Sequence, residues 1–447
     1  MLTASALKTT VEKLMDLRGR ERDRLARLLA YRRDGAGPEG PFSSTAIAGL
    51  PSGLPSEVRA LAKASRVNVL RYIVTARVQQ MYVDGFQLPT QPENVATWDI
   101  WQRNRLDARQ TAVHRAALTF GSAFAVVMPG APVPLVRGCS PRTLSVLYGD
   151  DPDWPVAALE FRGGTRWRVY DPTHMYELRG DDGSDLAVSG GGVEHGMTYD
   201  GKPVTPVVRF RDVEDVDVAV EGIVEPFIPL QDQINVTTFG LQVAQHYGAF
   251  RQRYIIGWLA DSEAAALKTG AARLMMFEDS PSDVQVGEFA QSDLRGYIES
   301  REASLRHMAT VSQTPVHELL GQFVNLSAQA LEAARASQTA AVDENRQVLG
   351  EAWEQTLNLA GEAAGMTPEP AAAVVWRDTR IRALADAAPA LGQLATQLGV
   401  PPRALWRRIP GVTPHELETW EALAAEGDSF ANLAGMLDRQ ASGGTDG

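Results

Sequence analysis

Seven histidines, one cysteine and three acidic runs are the side chains through which this 447-residue sequence could do chemistry. The histidines are His114, His174, His195, His246, His307, His317 and His415, and no two lie at metal-ligand spacing. His317-Glu318 and His415-Glu416 each open like a zinc-protease helix, but neither has the second histidine four residues on, so both read as ordinary helix residues. Gly190-Gly191-Gly192 is not followed by a lysine and hydroxyl pair, and Gly201-Lys202-Pro203 opens no phosphate loop, so no nucleotide cradle is present. There is no Gly-x-Ser-x-Gly turn to present a nucleophile, and Cys139 has no base beside it in sequence. The acidic runs at Asp150–Asp153, Asp181–Asp185 and Asp212–Asp217 lack the calcium-loop pattern and read as solvated turns. The sequence therefore predicts no enzyme, no cofactor and no metal, and shifts weight to a structural or assembly role.

Composition narrows the class further. The chain is long enough for two or three domains, and 44% hydrophobic residues can fill real cores. No run approaches the length of a membrane span, and the charged N-terminus lacks a secretory pattern. One cysteine rules out an intramolecular disulfide framework. The net charge of −12 argues against tight, sequence-independent DNA binding over the whole surface, yet suits a wall along which a duplex slides without sticking. Only five of the 43 basic residues are lysine. That bias fits a GC-rich genome better than a binding surface.

The elements that would position any site follow from periodicity and punctuation. Ala4 to Arg33 reads as an amphipathic helix, residues 34–55 as a loop, and Ser56–Lys63, Val67–Met81 and Glu93–Phe120 as helices. Between about 130 and 215 the texture becomes β-rich: Val156–Arg162, Arg166–Tyr170, His174–Arg179 and Val204–Phe210 alternate with glycine turns, after the strand Ala123–Met128. Residues 251–290 read as a compact mixed segment with strands at Arg253–Trp258 and Leu274–Phe277 around an alanine-rich helix, followed by a helix over Gln291–Val311. Thr314-Pro315 opens a short helix stopped by Gly321, with Thr314 as its cap. A run from Ser327 to about Ala363 would be a helix about 55 Å long. Ala383–Leu433 is helical with proline breaks, and the tail from Ser442 is expected to be disordered.

One helix, within Pro226–Gly257, carries two apolar seams rather than one. Leu230, Ile234, Leu241 and Ala244 lie on one face, and Val236, Phe239, Val243, Tyr247 and Phe250 on another, roughly 140° away at about 100° per residue. Gln231, Asn235, Thr238, Gln242 and His246 fill the polar arc between them. Two seams suit a helix wedged between two neighbours, either inside a large helical core or between two subunits of a ring.

The order of several stretches resembles the portal, or head–tail connector, family of tailed bacteriophages, in the type found in long-tailed actinobacteriophages. These are Asn68–Val74 through Met81–Phe86, Trp98–Asp107 with Ala117–Gly121 and Ala123–Gly130, Ile228–Asn235, and Thr314–His317 through Asn325–Leu331. The likeness runs over roughly residues 5 to 365. It implies an α+β, mostly helical portal-like fold: a wing over 1–222 with a β-rich insertion, a first stem helix over 223–250 and a clip over 251–290. A second stem helix over 291–313, a tunnel loop over 314–326, a long wing helix over 327–365, and a crown and tail over 366–447 would complete it.

The resemblance further implies a homo-oligomeric ring, usually a dodecamer, at one capsid vertex of the virion. It would be assembled in the host cytoplasm, nucleate the procapsid, and conduct DNA in packaging and ejection. Its implied partners are the terminase large subunit, which hydrolyses the ATP, head-completion proteins, major capsid and scaffolding proteins, and weakly bound double-stranded DNA, with no membrane. On this map His317, Gln322, Phe323, Val324 and Asn325 would face DNA in the tunnel. Leu230, Ile234, Val236, Phe239, Val243 and Tyr247 would line the subunit interface, and Arg251, Arg253, Glu278 and Asp279 would face partners at the clip. The competing expectations are a helical adaptor that closes no ring and a metal-dependent hydrolase built on Asp212–Asp217.

Overall fold

The computed structural model describes residues 2–36, 56–91, 94–182, 186–213, 215–216, 221–248, 253–256, 274–277, 285–288, 293–321, 328–377, 384–406, 408–409, 412, 416–417 and 419–424. The chain divides into two units, Met1–Arg377 and Asp378–Gly447.

The first unit stacks its layers through the two-residue alternation of its strands. The strand Ser122–Met128 pairs with Leu135–Cys139 and Val207–Arg211 in a three-stranded antiparallel sheet. Ala123, Ala125 and Val127 point into the main helical core, whereas Phe124 and Val126 point the other way. That second face meets Leu144, Ala158 and Tyr170 of a larger sheet formed by Leu144–Tyr148, Pro155–Phe161, Arg166–Tyr170, His174–Arg179 and Ala187–Val188. The larger sheet repeats the device: Ala158 faces inward, while Ala157 and Leu159 face the N-terminal helix. Each sheet is thus covered on both faces, which explains why Val126, Val127, Ala158 and Leu159 are all buried in strands with few polar alternates.

The N-terminal helix, Ala4–Asp34, serves two cores with one stripe. Leu7, Val11 and Leu14 cover the large sheet, and Leu25, Leu28 and Tyr31 enter the main helical core. Burial of each large side chain contributes about 2 kcal/mol relative to exposure. Midway, Arg18 lies 5.1 Å from the Trp167 ring and pairs with Asp182 at 3.0 Å. Gly35 ends the helix at φ 69°, a left-handed conformation that glycine adopts without a side-chain clash.

Two sequence expectations need correction here. The helical block Glu93–Phe120 is two helices, Trp98–Arg103 and Leu106–Phe120, because Asn104 and Arg105 interrupt it. Arg105 is left-handed at φ 54°, and the Asn104 amide donates to Ile100 O and Pro134 O while accepting from Val136 N. The boundary expected at 366 does not coincide with the division into units, which falls after Arg377. Ala373–Trp376 pairs antiparallel with Val83–Gln87, and Arg377 meets Asp84 at 2.7 Å, so this stretch belongs to the first unit.

The expected long helix spans Ala328–Ala363, and its Trp353 is fully buried against Trp101 and Phe210. Trp353 Nε1 donates to His114 Nε2 at 2.8 Å, and the other ring nitrogen of His114 donates to Met81 O. Burial pushes the His114 imidazolium down to about 3, so this histidine is a neutral core fastener. Residues 253–256, 274–277 and 285–288 form a three-stranded sheet with 253–256 in the middle, parallel to 274–277 and antiparallel to 285–288. In the second unit, helices Leu384–Gln397 and Pro402–Trp406 are described, and Trp406 meets Trp420 edge-on at 6.0 Å.

Candidate functional site

The helix with two seams spans Ile228–Gly248, entered through a 3-10 turn at Glu225–Phe227. The first part of its polar arc is buried together with Ile228 and Ile234, where sequence reading placed it merely between two apolar faces. Gln231 and Asn235 are fully buried, and Thr238 nearly so. Gln231 Oε1 accepts from Val69 N at 3.1 Å and Leu70 N at 3.3 Å, and its amide nitrogen donates to Val67 O at 2.6 Å. Asn235 Oδ1 accepts from Val67 N at 3.1 Å, and Nδ2 donates to Gly35 O at 2.8 Å. These amides satisfy the free backbone groups that open the helix Val69–Val78 and that follow the N-terminal helix. Tyr31 donates to Asp232 at 2.9 Å, and Arg24 pairs with Glu225, fastening the helix entrance. Burial, and then the Asp232 carboxylate, push the Tyr31 hydroxyl up to about 12.

The predicted interface residues consequently separate. Ile234 is 0% exposed and belongs to its own subunit's core, so it has no surface to offer a second chain. Leu230 packs partly buried on the same core, and Phe239 packs against Ala36 and Ala62. Val243 is half-buried, and the side chain of Tyr247 lies outside the described residues. Among the described side chains of the six, only Val236 is exposed, at 50%.

A second helix, Arg295–Val311, packs beside the first. Gly240 marks the close approach, since a Cβ there would lie 2.9 Å from the Tyr297 ring. Val236 is one turn before Gly240 on the same helix face. Tyr297 is 41% exposed and Ile298 45% exposed, so the pair of helices presents aliphatic and aromatic surface while its amides are inside. Sequence reading missed Tyr297 and Ile298. Their signal was an adjacent aromatic and aliphatic pair in an otherwise polar first turn of a helix.

Below this pair lies a second buried polar junction. Asn345 Nδ2, on the long helix, donates at 2.8 Å to both the backbone and the carboxylate oxygen of Asp212. Arg77 donates to Ser312 O at 2.8 Å and to Asn345 Oδ1 at 3.4 Å. Desolvation pushes the Asp212 carboxyl up to about 7 against the opposing pull of Arg77. Of the acidic run Asp212–Asp217, Asp212 is buried and Asp215 exposed, Glu214 and Asp217 lie outside the described residues, and among the described residues no group of three potential ligands could hold a metal ion.

Thr314 does not cap the next helix. Its side chain is buried and its hydroxyl accepts from Ser312 Oγ at 3.0 Å, leaving Pro315 at the cap position of Val316–Leu320. His317 on this short helix is 9% exposed, so its side chain is buried within the subunit. Glu318 beside it accepts from Tyr72 at 2.9 Å and from Arg335 at 2.8 Å. That carboxylate joins the two chain segments flanking residues 322–327. Gln322, Phe323, Val324 and Asn325 themselves lie outside the described residues, as do Arg251, Glu278, Asp279 and the side chain of Arg253.

Comparison with known proteins supplies the remaining observation. The family model for phage portal protein, SPP1 Gp6-like, matches residues 54–429. The portal protein of Mycobacterium phage D29 is 23% identical over 382 residues, covering 79% of this chain and 78% of that protein. Among solved structures, a neck of an empty gene transfer agent particle is similar at 15% identity and a TM-score of 0.46, over 80% of this chain and 93% of that one. A neck of a native particle is similar at 16% identity and the same TM-score of 0.46, over 83% of this chain and 95% of that one.

Proposed function

This chain belongs to the phage portal protein family, SPP1 Gp6-like, and from that premise we propose that it closes into a ring through the paired helices Ile228–Gly248 and Arg295–Val311. The chain is a phage portal, a structural protein of the virion and its head–tail connection. The observation that carries the ring reading is the inverted pattern of the pair. Gln231 and Asn235 are inside, while Val236, Tyr297 and Ile298 lie outside on two adjacent helices. An exposed apolar surface of this kind is covered by a partner in most soluble proteins, and a second copy of the chain fits it in a ring.

In this reading the subunit seam consists of Val236, Val243 and Tyr247 with Tyr297 and Ile298, and excludes Ile234. Residues 322–325 form the tunnel loop, held at its base by the Glu318–Arg335 ion pair, and His317 supports that base from within. The sheet-bearing segment 251–290 is the clip, and Arg251, Arg253, Glu278 and Asp279 are its candidate contacts with the packaging motor and head-completion proteins. The wing, long helix and crown boundaries follow the map above, with the crown beginning after Arg377. Capsid-vertex placement, procapsid nucleation, DNA packaging and ejection, and assembly in the host cytoplasm complete the proposal.

The test is negative-stain microscopy with mass by light scattering on wild type and Val236→Asp. The expected result is closed rings for the wild type and folded monomers for the variant, with the same melting temperature. Rings of normal size from Val236→Asp would overturn the seam. A small, open oligomer from the wild type under all conditions would favour an adaptor instead.

A further inference from the structure

We propose that the outer edge of the strand Ala373–Trp376, with the acidic groove beside it, docks an extended basic segment of a separate protein by strand addition. The inference goes beyond the ring reading and does not depend on it. In the two-stranded sheet of Val83–Gln87 and Ala373–Trp376, one edge is closed and the other open. On the closed edge, Gln110 Oε1 accepts from Val83 N at 2.7 Å, and Asn94 Oδ1 accepts from Phe86 N at 3.1 Å. Val83 and Phe86 thus turn their backbone groups away from the partner strand. The residues opposite them, Trp376 and Val374, turn theirs outward on the far side. There Val374 N donates to Glu354 Oε1 at 3.0 Å, so a side chain stands where the carbonyl of a further strand would be. Among the described residues, no hydrogen bond closes the Val374 carbonyl or the Trp376 N–H.

A cavity of about 520 Å³ lies at this edge, lined by Val374 and Trp376 of the strand and by Asp343, Arg346, Glu351 and Glu354 of the long helix. Its charge sets the chemistry of the occupant. Asp343 pairs with Arg346 at 3.3 Å, and Arg346 also donates to Arg377 O at 3.2 Å. Glu351 and Glu354 remain, one helical turn apart on the same face. Burial raises the Glu354 carboxyl above the ordinary carboxylate range against the pull of Val374 N–H, and the Glu351 charge raises it further. A cation entering the groove relieves that repulsion, whereas phosphates or an acidic chain would add to it. A bare metal ion does not fit, since no group of three potential ligands among the described residues could hold one. Trp376 is half-buried and offers a ring along which the stem of an arginine or lysine can lie. The open edge requires the backbone that carries this side chain to be extended. A chain of net charge −12 repels its own copies at such a groove, so the complement is a different, basic protein.

The experiment is fluorescence anisotropy of a short labelled peptide, in which arginine alternates with threonine and valine, titrated with the full-length protein. Glu351→Gln with Glu354→Gln removes the charge but keeps an acceptor for Val374 N, and should weaken binding about tenfold. Glu12→Gln with Asp23→Asn makes the same charge change at exposed positions of the N-terminal helix and should bind as wild type does. An added strand bonds through one edge only. Of two peptides methylated on alternate sets of backbone nitrogens, one should therefore lose affinity and the other keep it. No binding by wild type would overturn the proposal, as would equal binding by the groove variant, or methylation that spares both peptides. Equal binding of a peptide with glutamate in place of arginine would overturn it too. Binding by monomeric Val236→Asp but not by closed wild-type rings would assign the groove to a neighbouring copy instead. Microscopy of the same samples keeps the readings apart: rings without peptide binding defeat this inference alone, and peptide binding without rings defeats the ring reading alone.

Discussion

Two buried polar junctions hold the paired helices to the rest of the subunit, and they are built on opposite principles. At Gln231 and Asn235 the groups are neutral amides, and every amide atom has a partner. At Asp212, Arg77 and Asn345 the groups are ionisable, Arg77 Nε is buried without a partner, and Glu344 adds repulsion to Asp212. The first junction is a fastener whose strength is independent of pH. The second is a joint whose strength depends on whether Asp212 holds a proton. The difference teaches that burial alone does not make a polar cluster rigid; what matters is whether its members can change charge.

The comparison breaks most severely at Gln231. Gln231→Leu removes the acceptor for Val69 N and Leu70 N and the donor to Val67 O, leaving buried backbone groups unpaired. The expected loss is about 3 kcal/mol by chemical denaturation, equal at pH 5 and pH 8. A loss that varies with pH would show that the amide junction is coupled to a titrating group.

Asp212 gives the next effect and the opposite signature. Its folded-state value, about 7, lies above the ordinary carboxylate value of 3.8, so the native state binds the proton more tightly than the unfolded chain. The stabilisation is therefore full below about pH 4 and is lost as pH rises to 7, at up to about 1.4 kcal/mol per unit. His114 acts with the reverse sign, since its depressed value lets the unfolded chain take up the proton first as pH falls below about 6.5. Asp212→Asn isolates the first term. The stability of this variant relative to wild type should rise between pH 5 and pH 7, and a flat difference would remove the titrating joint.

Gly240 gives the smallest expected effect. Gly240→Ala brings a methyl to 2.9 Å from the Tyr297 ring, but that ring is partly exposed and can turn aside. A helical alanine gains up to about 1 kcal/mol over glycine, so the net change should fall within about 0.5 kcal/mol. A melting-temperature loss of many degrees would mean that Tyr297 is fixed and that the helix spacing tolerates no side chain at position 240.

Much of this architecture was legible before any coordinates. The helix at Ala328–Ala363 and the strands at Arg166–Tyr170 and His174–Arg179 fell where periodicity placed them, because those signals are local. The order of motifs pointed to the portal family. The pairing of Val83–Gln87 with Ala373–Trp376 was not legible, since neither stretch carries a hairpin signal and the partners are far apart.

The sequence by itself determined where the long helices and several of the strands lie, the negative charge and the family, because these rest on residue types at short spacing. Tertiary structure alone decided which face of Ile228–Gly248 is inside. Gln231 and Asn235 are buried because backbone groups 162 and 200 residues away need them, and no local pattern records such a need. Val236 and Tyr297 are left outside by the same choice. The surface available to a neighbouring subunit is thus set by the hydrogen-bonding demands of the interior.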